Sequence, residues 1–302
     1  MAFSEERPVK EAKGESAEEE PNWLELIPVE LAARILNKLG IFEIFTNASL
    51  VCPFWLKVCK NPLTWRTIDL TNHSHHAGSK LLKFCLHAIE RSCGSLEDIS
   101  IEDFCTDEIL QSIADSGSHL RRMRLLNCWE ISDEQLSETV KKLPLLEEFE
   151  ISFSPLSKDT LELMGKCCPH LKVLKFNMRG LKGFECDDEA FAIAKTMPQL
   201  CHLQLLGNRL TNNGLIAILD GCPHLESLDL RACSNVVLSG RLKERCLKQI
   251  KDLRLPEDVS EVPKYVDVEG CGCGCEDDHK GNLAALVALD FNDLPQDILD
   301  LL

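Results

Sequence analysis

Leu96-Glu-Asp-Ile99-Ser-Ile101, Leu120-Arg-Arg-Met123-Arg-Leu125, Leu146-Glu-Glu-Phe149-Glu-Ile151, Leu171-Lys-Val-Leu174-Lys-Phe176, Leu200-Cys-His-Leu203-Gln-Leu205, Leu225-Glu-Ser-Leu228-Asp-Leu230 and Ile250-Lys-Asp-Leu253-Arg-Leu255 are seven copies of one pattern. Their first positions are 24, 26, 25, 29, 25 and 25 residues apart. A strand followed by a helix in so short a period cannot bury its own apolar face, so the units must stack on one another as a solenoid. Side chains alternate along a strand, so the apolar residues point into the stack and the intervening ones line its sheet face.

Each strand is followed by a small polar or cysteine position, Cys128, Asn208 and Cys233 among them, where the backbone turns away and needs partners. Helix starts come next at Ser132-Asp133-Glu134, Ser157-Lys158-Asp159, Asp187-Asp188-Glu189 and Thr211-Asn212-Asn213, all suited to N-caps and first turns. The helices stop before Pro144, Pro169, Pro198 and Pro223, because proline cannot extend them. Strand, cap and terminator together resemble the cysteine-containing class of leucine-rich repeat.

A second signature lies upstream. Ile27-Pro28-Val29-Glu30-Leu31 opens a helix and puts Leu31, Ile35 and Leu39 on one face. Ala48-Ser49-Leu50-Val51-Cys52-Pro53-Phe54-Trp55 and Asn61-Pro62-Leu63-Thr64-Trp65 follow in order. This stretch resembles an F-box. It departs from the family pattern in Ile27, where leucine is usual, and in Pro53, which is expected to bend the last helix. Trp65-Arg-Thr-Ile68-Asp-Leu70 already imitates a repeat strand, which argues for one rigid body.

The resemblance implies an α/β fold: an N-terminal three-helix F-box followed by a leucine-rich-repeat horseshoe, parallel strands concave and helices convex. The expected division is an acidic disordered tail over 1–22, the F-box over 23–70, about seven repeats over 71–256, and an acidic tail over 257–302. It further implies a non-catalytic substrate receptor of a Skp–cullin–F-box ubiquitin ligase, narrowly of a plant subfamily. Its partners would be a Skp-family adaptor, through it cullin and RING subunits, and a protein substrate.

Trp23, Ile27, Pro28, Leu31, Ile35 and Leu39 are the candidate adaptor contacts, since so small a module cannot hide that apolar stripe. On the repeats the exposed set is expected to include Asp98, Ser100, Ser152 and the candidate substrate contacts Arg122, Arg124, Glu148, Glu150, Lys175, Asn177, Gln204, Asp229 and Arg231. Reversing Arg122 and Arg124, as exposed charges, should then shift stability by less than about 0.5 kcal/mol. The insert from Met178 to Phe184 reads either as a loop over that face or as one whose apolar Met178, Leu181 and Phe184 tuck back onto the solenoid.

Composition excludes several other classes. Residues 1–20 and 256–302 hold −4 and −10 of the net charge of −16, so the repeats are near neutral and unsuited to nucleic acid. The 16 cysteines follow no leader-like apolar segment and no membrane span is present, which points to a reducing cytoplasmic or nuclear setting with Cys168, Cys222 and Cys233 as buried packing residues. Cys271, Cys273 and Cys275 with His279 lack zinc-site spacing, so no metal and no cofactor is assigned. His119, His170 and His224 recur at turns, and no catalytic motif assembles. The rival reading is a repeat scaffold that mediates interactions without ubiquitin transfer.

Overall fold

The structure, a computed structural model, describes residues 26–71, 78–154, 156–178 and 184–258. Trp23, both acidic tails with the Cys271–Cys275 cluster, the 72–77 histidine stretch and residues 179–183 lie outside the described residues.

Four short helices come first: α1 (Val29–Leu36), α2 (Ile41–Glu43), α3 (Ser49–Val51) and α4 (Pro53–Cys59). A π-helical stretch, Ile44–Ala48, joins α2 to α3, so 41–51 is one helical run. Pro53 does not bend a helix. It occupies the first turn of α4, where a missing N–H costs nothing, and Cys52 before it is extended at φ −165°. A 3-10 turn, Pro62–Trp65, leads into the first strand.

Strands and helices then alternate: β1 (Thr67–Leu70), α5 (Gly78–Arg91), β2 (Asp98–Glu102), α6 (Asp107–Ser116), β3 (Arg122–Leu126), α7 (Asp133–Val140), β4 (Glu148–Ser152), α8 (Lys158–Cys167), β5 (Val173–Asn177), α9 (Asp188–Thr196), β6 (His202–Gln204), α10 (Asn212–Gly221), β7 (Ser227–Asp229), α11 (Gly240–Gln249) and β8 (Asp252–Arg254). The eight strands form one parallel sheet in sequence order. Asp98, Arg122, Glu148, Val173, His202, Ser227 and Asp252 are paired across it in succession. That register reproduces the spacings of the sequence pattern, so the unequal repeat lengths are taken up outside the strands.

One continuous apolar core runs from Ala32, Ala33 and Leu36 of α1 through Trp65, Ile68 and Leu70 to Cys246 and Ile250. Trp65 is its hinge pin: the ring is 1% exposed and its Nε1 donates to Cys59 O at 2.9 Å. Ser95 donates to Pro62 O at 3.2 Å, and Arg66 is ion-paired with Glu97, tying the helical end to the second strand unit. β1 is therefore the first rung of the sheet as well as the exit from the helices.

The cap residues do more than their own spacing shows. Ser132 and Ser157 accept from Gln135 N and Thr160 N as N-caps. The neighbouring aspartates reach across repeats: Asp107 accepts from Ser132 N at 2.7 Å, Asp133 from Ser157 N at 2.8 Å and Asp187 from Thr211 N at 2.7 Å. Asp187 makes no capping bond to its own helix. The buried thiols likewise bridge repeats, Cys168 donating to Leu143 O, Cys222 to Met197 O and Cys233 to Leu205 O. Burial pushes their pKa values up, to about 12, about 11 and about 12.

After β2, β3, β4, β6 and β7 the chain turns through one position whose N–H donates to the next repeat: Asp103 to Leu126 O, Asn127 to Ser152 O, Phe153 to Asn177 O, Gly207 to Arg231 O and Ala232 to Pro256 O. All five have positive φ, between 54° and 75°. Asp, Asn and Gly tolerate that region, whereas a phenylalanine there is strained.

Candidate protein-binding surfaces

At the helical end, α1 turns its small residues inward. Ala32 and Ala33 with Leu36 face the core, which lets the helix approach closely and leaves its larger residues outside. Leu31, Ile35 and Leu39 are 50%, 46% and 39% exposed, with Leu26 at 76% beside them and Leu50 and Val51 at 55% and 67% on the following helical run. Pro28 is exposed at the N-cap position, its carbonyl accepting from Leu31 N and Ala32 N, while Ile27 is half-buried against the core. The structure thus brings five of the six residues read as adaptor contacts to one end of the molecule.

The concave face differs from its sequence reading. Asp98, Ser100, Ser152, Asn177, Asp229 and Arg231, all expected to be exposed, are buried. Neighbouring strands cover them, since each side chain lies between two others one strand spacing away. Asn177 donates to Ser152 Oγ at 2.8 Å and accepts from Gln204 Nε2 and Leu206 N, both at 3.1 Å, so it joins three repeats. Arg231 forks onto Asp229, with contacts of 3.0 and 2.7 Å, and Arg254 lies 3.9 Å from the same carboxylate.

The charges that reach solvent are paired with neighbouring side chains, buried or half-buried. Arg122 donates to Asp98 at 2.8 Å, and that hydrogen bond holds its guanidinium pKa above the usual range. Arg124 lies 3.8 Å from the same carboxylate, its Nε enclosed without a hydrogen-bond partner. Lys175 sits between Glu148 and Glu150 at 3.3 and 3.0 Å. Burial favours its neutral form, but the two carboxylates outweigh burial and raise its pKa. The acidic and basic bands of the sequence therefore largely cancel, strand against strand.

Three residues at the strand exits went unread in the sequence: Trp129, Phe153 and Arg209, which border a common cleft. The one signal was Phe153, standing where other repeats carry Asp, Asn, Gly or Ala at the turn position.

No family model matches the chain. F-box protein SKIP19 of Arabidopsis thaliana is 46% identical over 98% of this chain and 99% of its own. The chain belongs to the plant F-box/LRR-repeat family. F-box/LRR-repeat protein 22 of the same plant is 44% identical over 82% of each chain. F-box/LRR-repeat protein 23 is 49% identical over 80% of this chain, which spans about half, 54%, of that relative's length. Among solved structures, one of the yeast Rad7–Elc1 complex matches with a TM-score of 0.52 at 17% identity, over 73% of this chain and 58% of that one, which supports the repeat fold of this F-box/LRR-repeat protein. No helix among the described residues is long and apolar enough to cross a membrane.

Proposed function

We propose that this F-box/LRR-repeat protein is the substrate-recognition subunit of a Skp–cullin–F-box ubiquitin ligase. The observation that carries the reading is the exposed stripe of Leu31, Ile35 and Leu39 beside Pro28, on a module whose inward face is already packed. Large apolar side chains grouped on a surface mark a protein partner. A Skp-family adaptor is the partner that fits, and relatives named SKIP19 and SKIP1, at 46% and 29% identity, support it. Trp23, outside the described residues, extends the proposed adaptor surface by its sequence position alone.

In this role the chain does no bond chemistry itself. It raises the effective concentration of substrate lysines near a charged E2 enzyme, and the shared core makes the spacing between adaptor and substrate rigid. The repeats would select the substrate in the cytoplasm or nucleus. Arg122, Arg124, Glu148, Glu150, Lys175 and Gln204 are the contacts left at least partly exposed, while Asn177, Asp229 and Arg231 act by holding the face in shape.

Pro28→Ala with Leu31→Ala tests the adaptor reading. Calorimetry with a Skp-family adaptor should show affinity lower by about 30- to 1000-fold, corresponding to roughly 2–4 kcal/mol at an interface centre. Thermal unfolding should be unchanged, because both residues are exposed. Undiminished adaptor binding would overturn the assignment.

A further inference from the structure

The exits of β3 to β6 enclose a cleft of about 670 Å³, lined by Trp129, Phe153, Leu156, Met178, Glu189 and Arg209 among others. It lies on the rim, between strand ends and helix starts, apart from the paired charges of the concave face. Three features distinguish it. Trp129 is 57% exposed at its edge, a large aromatic surface on a loop. Phe153 is held at φ 57° in a position whose equivalents are small or polar, and its ring packs with Leu206 to floor the rim. Backbone strain of that kind persists where surrounding structure enforces it and concentrates at binding sites. Arg209 supplies the third: its Nε is enclosed and makes no hydrogen bond, although a buried guanidinium N–H is costly to leave unmet.

Polar groups elsewhere on the cleft wall are largely committed. Asp133 accepts from Ser157 N and Ser157 Oγ at 2.8 and 2.6 Å, and Asn177 donates to Ser152 Oγ at 2.8 Å and accepts from Leu206 N at 3.1 Å. Arg209 is thus the one cation among the lining residues of a mainly apolar trough, which also carries the carboxylates of Asp133, held by Ser157, and of Glu189 on the helix side. Strands are about 4.8 Å apart, so the distance from the exit of β3 to that of β6 is roughly 14 Å. An extended chain covers that in about four residues.

We propose that this cleft is the grip on the substrate protein, holding an extended segment of about four residues with an apolar side chain against Trp129, Phe153 and Met178 and a carboxylate on Arg209. The assignment rests on the substrate-receptor reading and gives it a site and a ligand chemistry. The apolar part supplies buried area, and the carboxylate pairs with the guanidinium of Arg209, a half-buried residue on the cleft wall. Glu189 sets direction, because it repels an acid placed at its own end of the trough.

The test uses the full chain bound to its adaptor, with a phage-displayed random hexapeptide library as the probe. Selection should enrich peptides that carry an aromatic or long aliphatic residue with Asp or Glu within about three positions. Synthetic copies should bind Arg209→Gln about tenfold more weakly or worse, as expected for loss of a charge-assisted hydrogen bond. Changing the peptide Asp to Asn should cause a similar loss in the unaltered protein and little further loss in the variant. Trp129→Ala, at an exposed residue, serves as the second variant should Arg209→Gln fold poorly, and should weaken every selected peptide.

No enrichment on a chain that still holds its adaptor would overturn the cleft and leave the receptor reading standing. Failure to hold the adaptor at all would overturn the receptor reading first. Equal binding to both variants, or binding of 3-phenylpropionate as tight as that of the peptides, would also overturn the proposal, the latter by making the occupant a small acid.

Discussion

The two ends of this molecule treat their surfaces in opposite ways. At the helical end the apolar residues Leu31 and Ile35 of α1 and Leu39 just beyond it stay in solvent, while on the concave face the polar residues Asp98, Asn177, Asp229 and Arg231 are withdrawn from it. A module of under fifty residues has too small an interior to take every large side chain that its helices carry, and the surplus becomes a docking surface. A stacked sheet presents the reverse problem. Every strand has neighbours 4.7–4.9 Å away, so polar side chains on its face find one another before they find a partner. Exposure at one end is therefore a binding property, and polarity at the other is first a folding property.

The largest effect should come where the two ends meet. Trp65→Ala removes the fully buried ring and its bond to Cys59 O, and should cost about 3–5 kcal/mol. Because the core is continuous, helical end and repeats should melt together in one lowered transition by calorimetry. Two separate transitions would break the picture of a single body.

Arg122→Glu with Arg124→Glu comes next. As simple surface charges these two would be neutral to stability, but Arg122 holds Asp98, whose side chain is only 8% exposed. Reversal leaves that carboxylate enclosed among like charges, and a loss of about 2–3 kcal/mol is expected by chemical denaturation. An unchanged midpoint would mean that these arginines hold no part of the fold together and act on the surface alone.

Asn177→Ala sharpens the same contrast on a neutral residue. It strips partners from Ser152, Gln204 and Leu206 N, and should cost about 2 kcal/mol. Hydrogen exchange should locate the loosening at β5 and β6 and leave α1 as protected as before.

The smallest effect is alkaline. Burial raises the Cys233 thiol from the usual 9.0 to about 12, so the unfolded chain ionises first and stability falls as pH rises past 9. One such thiol accounts for about 1.4 kcal/mol between pH 8 and 10. Cys233→Ala should be less stable at pH 7 but lose less between pH 8 and 10. Identical pH profiles would place the Cys233 thiol in contact with water.

Most of the fold was legible because it is written in short range. Met123 and Leu125 define an inward strand face by alternation alone, and seven such sets fixed 24–29 residues apart dictate a parallel register that the sheet reproduces. Ser132 and Ser157 read correctly as caps for the same reason, since a cap and its N–H lie three residues apart. The stripe on α1 was legible as a stripe from its spacing of four.

Which side of that stripe meets water was settled by packing, because Ala32, Ala33 and Leu36 could fill the small interior and Leu31 and Ile35 could not. The burial of Asn177 and Asp229, the reach of Asp133 to Ser157, and the cleft between Trp129 and Arg209 depend on residues about 24 or more positions apart in the chain. Alternation along one strand says which way a side chain points. Only the stacked neighbours decide what it meets there, and so whether a polar group is a partner for another protein or already a partner within this one.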